Sequence, residues 1–544
     1  MAAEPDARRA AFGAGAAIAL AALAAAAAGL PLGSPGLAEE WSIRWAFDRG
    51  QPWIRPDVLS TLATRPLAAL PQALGYALTP DSFVGDRIVL LVLLAGTAVA
   101  AAALLARLVP VPAAAAAGAV LALLAPADSA VFRTRDLPNH AAILFALLAI
   151  LLLARAAEGN GAVAAAGMVV CECIALGLYD GPILVLLAAP ALLPLLARGG
   201  KRASRPLVGL WLLAPAAFLV RGLVLLGRGG SYVTSLWEPG TESAGTRLLA
   251  GLGALFRMAL RELAAPFLEG ARALIAADRA RLAAVLFAGA AAAVVLVRTR
   301  ATEEPVRARA AFAAGLGLLV LGALPYAMAP ALREETRRVH LLASLGSGIA
   351  FAAALGAVRR RAVPTIASVT LVALAVSAGR AQGEGAAAAA RRVGALVRAL
   401  AEGAPAPPPG TALLLLDTDG PPPSEDVLGL TVTDVHLADA LRVVHRQADL
   451  LVYVFGRDLR FRWNGTPEAG ADGVTVRWAD GSSALVPWEK VVLFREDAEG
   501  RVARADETPA DLLRWPKAAA AGRAVPREGS PPPRLETLCP RPAG

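Results

Sequence analysis

The chain has 544 residues, 56% of them apolar and 18% charged, with a formal net charge of +9; soluble domains carry about 25% charged residues, so this is the composition of a membrane protein. Nearly all the positive charge is arginine, the lysines being Lys201, Lys490 and Lys517, and it falls mainly in short loops between apolar runs, which excludes a nucleic-acid-binding reading. Cys171, Cys173 and Cys539 form no metal or redox spacing, the four histidines are scattered, and no metal site is predicted.

A helix needs about 20 apolar residues to cross a bilayer. On that basis the sequence predicts about eleven spans, at 10–30, 86–106, 111–126, 140–156, 161–178, 182–197, 206–226, 281–297, 310–329, 341–358 and 363–379. The first is too long for a simple signal core and is read as a retained helix after a cytoplasmic N-terminus, 1–9. The run at 111–126 is short, and only Tyr179-Asp180-Gly181-Pro182 separates the fifth span from the sixth. With the N-terminus inside, arginines at 8–9, 107, 155, 198–205, 298–309 and 359–361 all fall on the cytoplasmic side, as the positive-inside rule requires. The outer set is then 31–85, 127–139, the Tyr179 turn, 227–280, 330–340 and everything after 380. Two outer loops break the rule, with Arg133 and Arg135 in one and Arg333, Arg337 and Arg338 in the other. They are read as functional cations or as arginines anchoring helix ends at headgroups.

Past Gly379 the character changes. Residues 391–400 read as an amphipathic helix and 404–410 as a Pro-rich linker, so 381–410 joins the membrane part, 10–380, to a small extracytoplasmic domain at 411–513. There 411–416 and 450–455 read as buried strands, 438–445 as a helix, and 474–478 with 484–494 as paired strands about an Asp480-Gly481 turn. The predicted class is a polytopic all-α membrane protein with a small α/β or β-rich C-terminal domain. Trp463, Trp478 and Trp488 are sheet core or sugar-stacking surfaces, with core favoured. The tail 514–544, with Pro531-Pro532-Pro533, is expected to be disordered. No glycine-rich phosphate loop, nucleotide fingerprint or internal repeat stands out, and the abundance of Ala, Gly, Pro and Arg points to a GC-rich bacterial genome.

Glu39-Glu40-Trp41, Arg65-Pro66-Leu67, Arg133-Thr134-Arg135-Asp136-Leu137, Leu255-Phe256-Arg257 and Leu342-Ala343-Ser344-Leu345-Gly346, in this order and spacing, resemble segments of the GT-C superfamily of membrane glycosyltransferases, and most of all of bacterial relatives of protein O-mannosyltransferases. Glu39-Glu40-Trp41 stands where that family has an acidic pair in its first outer loop. Arg65-Pro66-Leu67, followed by Leu74-Gly75-Tyr76-Ala77-Leu78, resembles the run leading into its second helix. Arg133-Thr134-Arg135-Asp136-Leu137 and then Phe145-Ala146-Leu147-Leu148 look like its second outer loop and fourth helix. Leu255-Phe256-Arg257 to Pro266-Phe267-Leu268 is similar to a surface helix before a later span. The acidic and basic run 334–338, then Leu342-Ala343-Ser344-Leu345-Gly346, is similar to its last outer loop and following helix. The likeness covers roughly residues 10–380. It departs from the family in three places: Glu-Glu replaces Asp-Asp or Asp-Glu, Tyr179-Asp180 replaces a Lys-Glu often seen in the third outer turn, and the last loop's aromatic motif is reduced to Val339-His340-Leu341-Leu342. A diverged acceptor and a loss of activity both fit these departures.

The resemblance implies transfer of a sugar from a polyprenyl-phosphate carrier to a protein, lipid or envelope-glycan acceptor at the outer face of the bacterial inner membrane. Such transfer needs a carboxylate to deprotonate or orient the acceptor hydroxyl, cations for the leaving phosphate and an apolar groove for the prenyl chain. Glu40 and Glu39 are the candidate carboxylates; neighbours point apart, and Glu40, beside Trp41, is preferred. Arg333 and Arg337, four apart, share one face of a helix and suit a phosphate clamp, with Arg338 and His340 as further donors; Glu334 and Glu335 pairing with these arginines on a solvated turn is the plain alternative. Arg133, Arg135, Asp136 and Tyr179 are expected to line the same cavity. No cofactor is required, and a divalent cation is left as an option, with Asp48 and Asp57 as loop residues or occasional ligands. A lipid or solute transporter and a non-catalytic scaffold are the rival readings. Transport is disfavoured because no repeated halves and few mid-membrane charges are seen.

Overall fold

The computed structural model describes residues 3–30, 32–50, 65–128, 131–159, 161–197, 204–227, 243–299, 308–329, 333, 341–360, 362–417, 434–455, 466–470, 472–477, 482–496, 501–505 and 529–540. Fourteen helices precede the first strand among these residues: α1 (Ala3–Ala27), α2 (Ala38–Asp48), α3 (Leu70–Leu78), α4 (Val84–Leu108), α5 (Pro112–Leu124), α6 (Leu137–Ala157), α7 (Gly161–Leu178), α8 (Ile183–Leu196), α9 (Arg205–Gly227), α10 (Ala244–Ile275), α11 (Arg279–Arg298), α12 (Ala308–Met328), α13 (Ala343–Gly356) and α14 (Ala362–Gly403). The chain divides into two compact units. The first takes residues up to 30, 54–72 and 88–384; the second takes 31–53, 73–87 and 385–544.

In the first unit, α1, α4, α6, α7, α9, α11, α12 and α14 are long and apolar enough to cross a membrane, eight such helices among the described residues. Helices α5, α8 and α13 occupy three further predicted spans but have 13, 14 and 14 residues. At 1.5 Å per residue they reach about 20 Å, short of the roughly 30 Å hydrocarbon core. The expected eleven equivalent spans thus become eight long helices and three short ones. The short α5 and α13 are buried along almost their whole length, which their alanines and glycines permit. A methyl group added at Gly346 of α13 would lie 2.1 Å from the Leu319 nitrogen of α12, and one at Gly118 of α5 would lie 2.5 Å from the Gly348 oxygen. Backbones this close admit only hydrogen at those positions. By contrast α9, α10 and α11 carry Leu223, Phe256, Phe287 and Val297 on the surface, the apolar exposure of helices that face lipid.

Helix α14 departs from expectation. A span at 363–379 and a separate amphipathic helix at 391–400 were predicted, yet one helix of 42 residues runs through both. Residues 380–403 contain no proline and are rich in Ala, with four Arg, good helix formers, so the change in polarity after Gly379 marks a change of surroundings without breaking the helix.

The second unit is α/β. Strands β1 (Ala412–Asp417), β2 (Leu451–Phe455), β6 (Val491–Glu496) and β7 (Val502–Ala505) form one sheet in the order β2-β1-β6-β7. In it β1 runs parallel to β2 and β6, while β7 is antiparallel to β6. Strands β3 (Thr466–Ala469), β4 (Gly473–Arg477) and β5 (Ser483–Pro487) form an antiparallel second sheet. Alternation along the strands builds two faces. Leu413, Leu415, Val452, Val492 and Phe494 pack with helix residues, among them Leu437, Leu441 and Val444 of α15 (Asp434–His445), Val397 and Leu400 of α14, and Trp41 of α2. Ala412, Leu414, Tyr453, Val491 and Leu493 pack against Val474, Val476, Val486 and Trp488. The β1 to β2 connection through α15 is a βαβ crossover, which explains why both strands read as continuous apolar runs.

Three expectations change here. The predicted strand 484–494 is two strands: a 3-10 turn over Trp488–Lys490 ends β5, and β6 joins the other sheet. Residues 32–50 and 73–87, predicted as the first outer loop of the membrane part, belong to the second unit. The tail is ordered over 529–540, where Leu535 and Leu538 of α16 (Leu535–Leu538) and Cys539 are buried in the helix-side core; leucines three apart outweigh the proline-rich composition. Trp488 is core, its Nε1 donating to Gly470 O at 3.1 Å, whereas Trp463, Trp478 and the Asp480-Gly481 turn lie outside the described residues.

Burial lowers the pKa of His445, at the end of α15, to about 4, and its Nε2 has no hydrogen-bond partner among the described residues. The unfolded chain binds this proton near the ordinary 6.5 and the folded chain only near 4, so stability is lost as pH falls through that window, by up to roughly 3 kcal/mol. Hydrogen exchange of the β1 and β2 amides at pH 7 and pH 4.5 measures the loss, and His445→Phe is expected to remove most of it.

Candidate functional site

Several polar residues of the first unit meet at one end of its helices. Arg65, preceding α3, donates from Nε to Asp180 Oδ1 at 3.1 Å and pairs with it through Nη2 at 2.8 Å. Its guanidinium lies 4.3 Å from the Tyr179 ring centroid. The Tyr179 and Tyr326 hydroxyls share a 2.9 Å hydrogen bond, and Leu67 N donates to Gly177 O at 2.8 Å, pinning the Arg65 segment to the end of α7. Burial alone would lower the Arg65 pKa, but Asp180 with Tyr179 and Tyr326 outweighs it and the value is raised. The cation is therefore fixed in position, stacked on one tyrosine and paired with one carboxylate, with its side chain still 20% exposed. A guanidinium so held, with donors to spare, is suited to a phosphate or carboxylate.

Other predicted residues reach the same end. Gln72 Nε2 donates to Arg135 O at 3.4 Å, and Arg135 Nε pairs with Asp136 at 3.3 Å in the 3-10 turn that opens α6. Arg133 and Asp136 are buried. Arg333 donates to Ala327 O at the end of α12 (3.3 Å) and to Arg247 O in α10 (3.0 Å). Tyr179, Arg135, Asp136 and Arg333 thus all belong to the end defined by Arg65 and Asp180, while Arg337, Arg338, His340 and Asp57 lie outside the described residues. At the opposite end, Arg107 pairs with Glu158 at 2.8 Å and donates to Leu196 O at 3.2 Å.

Glu39 and Glu40 occupy the first turn of α2 in the second unit. Glu40 Oε2 accepts from Leu37 N at 2.8 Å, the contact by which a glutamate at the third helical position closes a helix N-terminus. Trp41 is wholly buried, its Nε1 donating to Gly36 O at 2.9 Å and its ring edge-on to Phe83 at 4.9 Å. Glu39 is half-buried. Further along α2, Arg44 donates to Pro80 O (2.5 Å), Ser82 O (2.7 Å) and Asp86 Oδ2 (3.1 Å), binding the turn before α4. Asp48 accepts from the Tyr76 hydroxyl at 2.8 Å, and Phe47 stacks on Tyr76 at 5.3 Å. Burial first, and then Asp48, raises the Tyr76 pKa.

Arg65, Tyr326 and Arg247 were not singled out from the sequence as site residues. Tyr326 had one weak signal, since the chain has five tyrosines and this one follows Pro325 in an otherwise apolar helix. Arg247 had none. Glu172 of α7 is fully buried with neither carboxyl oxygen hydrogen-bonded to a described residue. Among the described residues no group of three or more His, Cys, Asp or Glu is arranged to hold a metal ion. No family model matches the chain, and no curated protein or solved structure is significantly similar to it.

The cap contact gives Glu40 a structural task that can be weighed against a chemical one. Glu40→Ala is expected to destabilise the second unit by about 1 kcal/mol, and Glu40→Gln, which keeps an acceptor, by less than half of that; thermal denaturation of both variants checks the order.

Proposed function

We propose that this chain is an inverting glycosyltransferase that takes a sugar from a polyprenyl-phosphate carrier at the outer face of the bacterial inner membrane. One observation carries the reading: Arg65-Pro66-Leu67, singled out by its likeness to GT-C enzymes, meets the Tyr179-Asp180 turn, which stands where those enzymes often have Lys-Glu, through the Arg65–Asp180 pair across 115 residues of sequence. The Arg135 and Arg333 segments come to the same end. In this reading that end faces outward, and Arg65 and Arg333 receive the carrier phosphate, with Arg337, Arg338 and His340 as further donors from the loop after Arg333. The acceptor oxygen attacks the anomeric carbon, the bond to phosphate breaks, the acceptor proton passes to a carboxylate, and the polyprenyl phosphate leaves with its charge held by guanidinium groups. Glu40 and Glu39 are the candidates for that carboxylate, Glu40 also accepting from the Leu37 amide. The donor sugar enters with the lipid, so the exposed apolar faces of α10 and α11 suit the prenyl chain. The acceptor is a protein, lipid or envelope glycan, and no step requires a cofactor.

The same cap contact favours the second reading, a membrane scaffold without catalysis, since one of the two glutamates is committed to structure. A transfer assay on protein in nanodiscs, offered a panel of radiolabelled polyprenyl-phosphate sugars, separates the readings. Transfer is expected to fall at least a hundredfold in Arg65→Ala and in one of Glu39→Gln and Glu40→Gln. No turnover and no binding of any carrier by the wild-type chain would favour the scaffold.

A further inference from the structure

The carboxy-terminal segment of the second unit is held by ion pairs as well as by its buried leucines. Arg534 forms ion pairs with Asp48 at the end of α2 and, at 3.0 Å, with Asp81 in the turn before α4. The Arg534 and Asp48 side chains are each 11% exposed. Leu535, Leu538 and Cys539 are buried, and α16 packs on α15. Arg398 of α14 grips the segment from the other side, donating through Nη1 and Nη2 to Glu536 at 2.9 and 3.0 Å and through Nε to Cys539 O at 3.0 Å. No β-strand pairing includes 529–540 among the described residues. Three buried side chains and two arginine contacts are opposed by the conformational entropy of ordering a nine-residue segment, terms of the same order, so such a segment opens far more readily than the sheet beneath it.

We propose that residues 531–539 are a detachable strap whose docked form neutralises Asp48 and Asp81, and whose seat is a groove selective for an arginine followed by leucines at the first and fourth positions beyond it. The strap closes by charge and by shape together. Its arginine bridges Asp48 at the end of α2 and Asp81 in the turn before α4, and its leucines fill the apolar seat beside α15. Released, it takes its positive charge away from both carboxylates, so a segment of the same pattern can compete for the seat. The inference does not depend on the glycosyl-transfer reading.

Cys539 reports the strap directly. Burial raises its thiol to about 12, so a thiol reagent reaches a reactive form only when the segment leaves its seat. In the full chain carrying Cys171→Ser and Cys173→Ser, in nanodiscs at pH 8, Cys539 is expected to label at least a hundredfold faster than the β1 amides exchange. Arg534→Ala is expected to speed labelling at least tenfold without changing exchange in β1. A synthetic peptide of residues 529–540 carrying Cys539→Ser is expected to compete for the seat in the full chain and so speed Cys539 labelling, and the same peptide with Arg534→Ala to do so at least tenfold more weakly. Labelling no faster than β1 exchange, unchanged by Arg534→Ala, or unchanged by the peptide would overturn the proposal.

Discussion

Direct contact between the backbones of α5, α13 and α12, made possible by glycine, sets the geometry of the first unit. Helices in lipid gain little from excluding water between them, so association rests on close van der Waals contact, and residues without side-chain bulk allow the closest. Gly118 and Gly348 join α5 to α13; Gly315 and Gly346 join α13 to α12. A third contact, Gly322 against the Leu342-Ala343 backbone, fixes the last turns of α12. Tyr326 follows one turn later, and the height at which α12 is held decides whether its hydroxyl meets Tyr179. The Arg65 cluster therefore inherits its precision from a packing seam well inside the helices.

The second unit solves a different problem. Its mostly parallel sheet needs cover on both faces, and the chain draws that cover from distant places: a hairpin-like sheet from 466–487, one helix from the crossover, half of α14, and α2 from near the N-terminus. That use of α2 explains the roles of Glu40, Trp41 and Arg44. A cap, a core ring and a buried guanidinium that gathers three carbonyls and a carboxylate are the fittings of a helix that must dock firmly. An acidic pair beside a tryptophan carries the same letters whether it serves catalysis or docking.

What could be read in advance follows the range of the interactions. Apolar runs and turns are local, and the positions of α1, α4, α6, α7, α9, α11 and α12 were plain from composition, as was the pairing of β4 with β5. The capping task of Glu40 was partly legible from its spacing to Leu37, but no Ser, Thr or Asp marked the N-cap. The pairing of Arg65 with Asp180 was hidden, because 115 residues separate them and each reads alone as an ordinary loop charge. The 385–403 half of α14 was misread because a fall in hydropathy was taken for an end of helix. The tail was misjudged because three prolines spoke louder than two leucines at helical spacing.

Glu172 bears on how the chain enters its membrane. Helix α7 has Leu176 and Leu178 as its only leucines and an acidic side chain along its length, whereas α6 carries seven leucines over 21 residues. An acidic residue at the middle of an inserting helix is opposed by roughly 3 kcal/mol, against a few tenths gained per leucine, so α7 is a poor inserter alone. Only residues 158–160 separate the two helices, and a methyl group added at Gly167 of α7 would lie 3.4 Å from the Leu152 side chain of α6. The strongly apolar α6 can therefore carry its neighbour across as one hairpin, which makes that short connection, and not only the hydrophobicity of α7, a determinant of biogenesis.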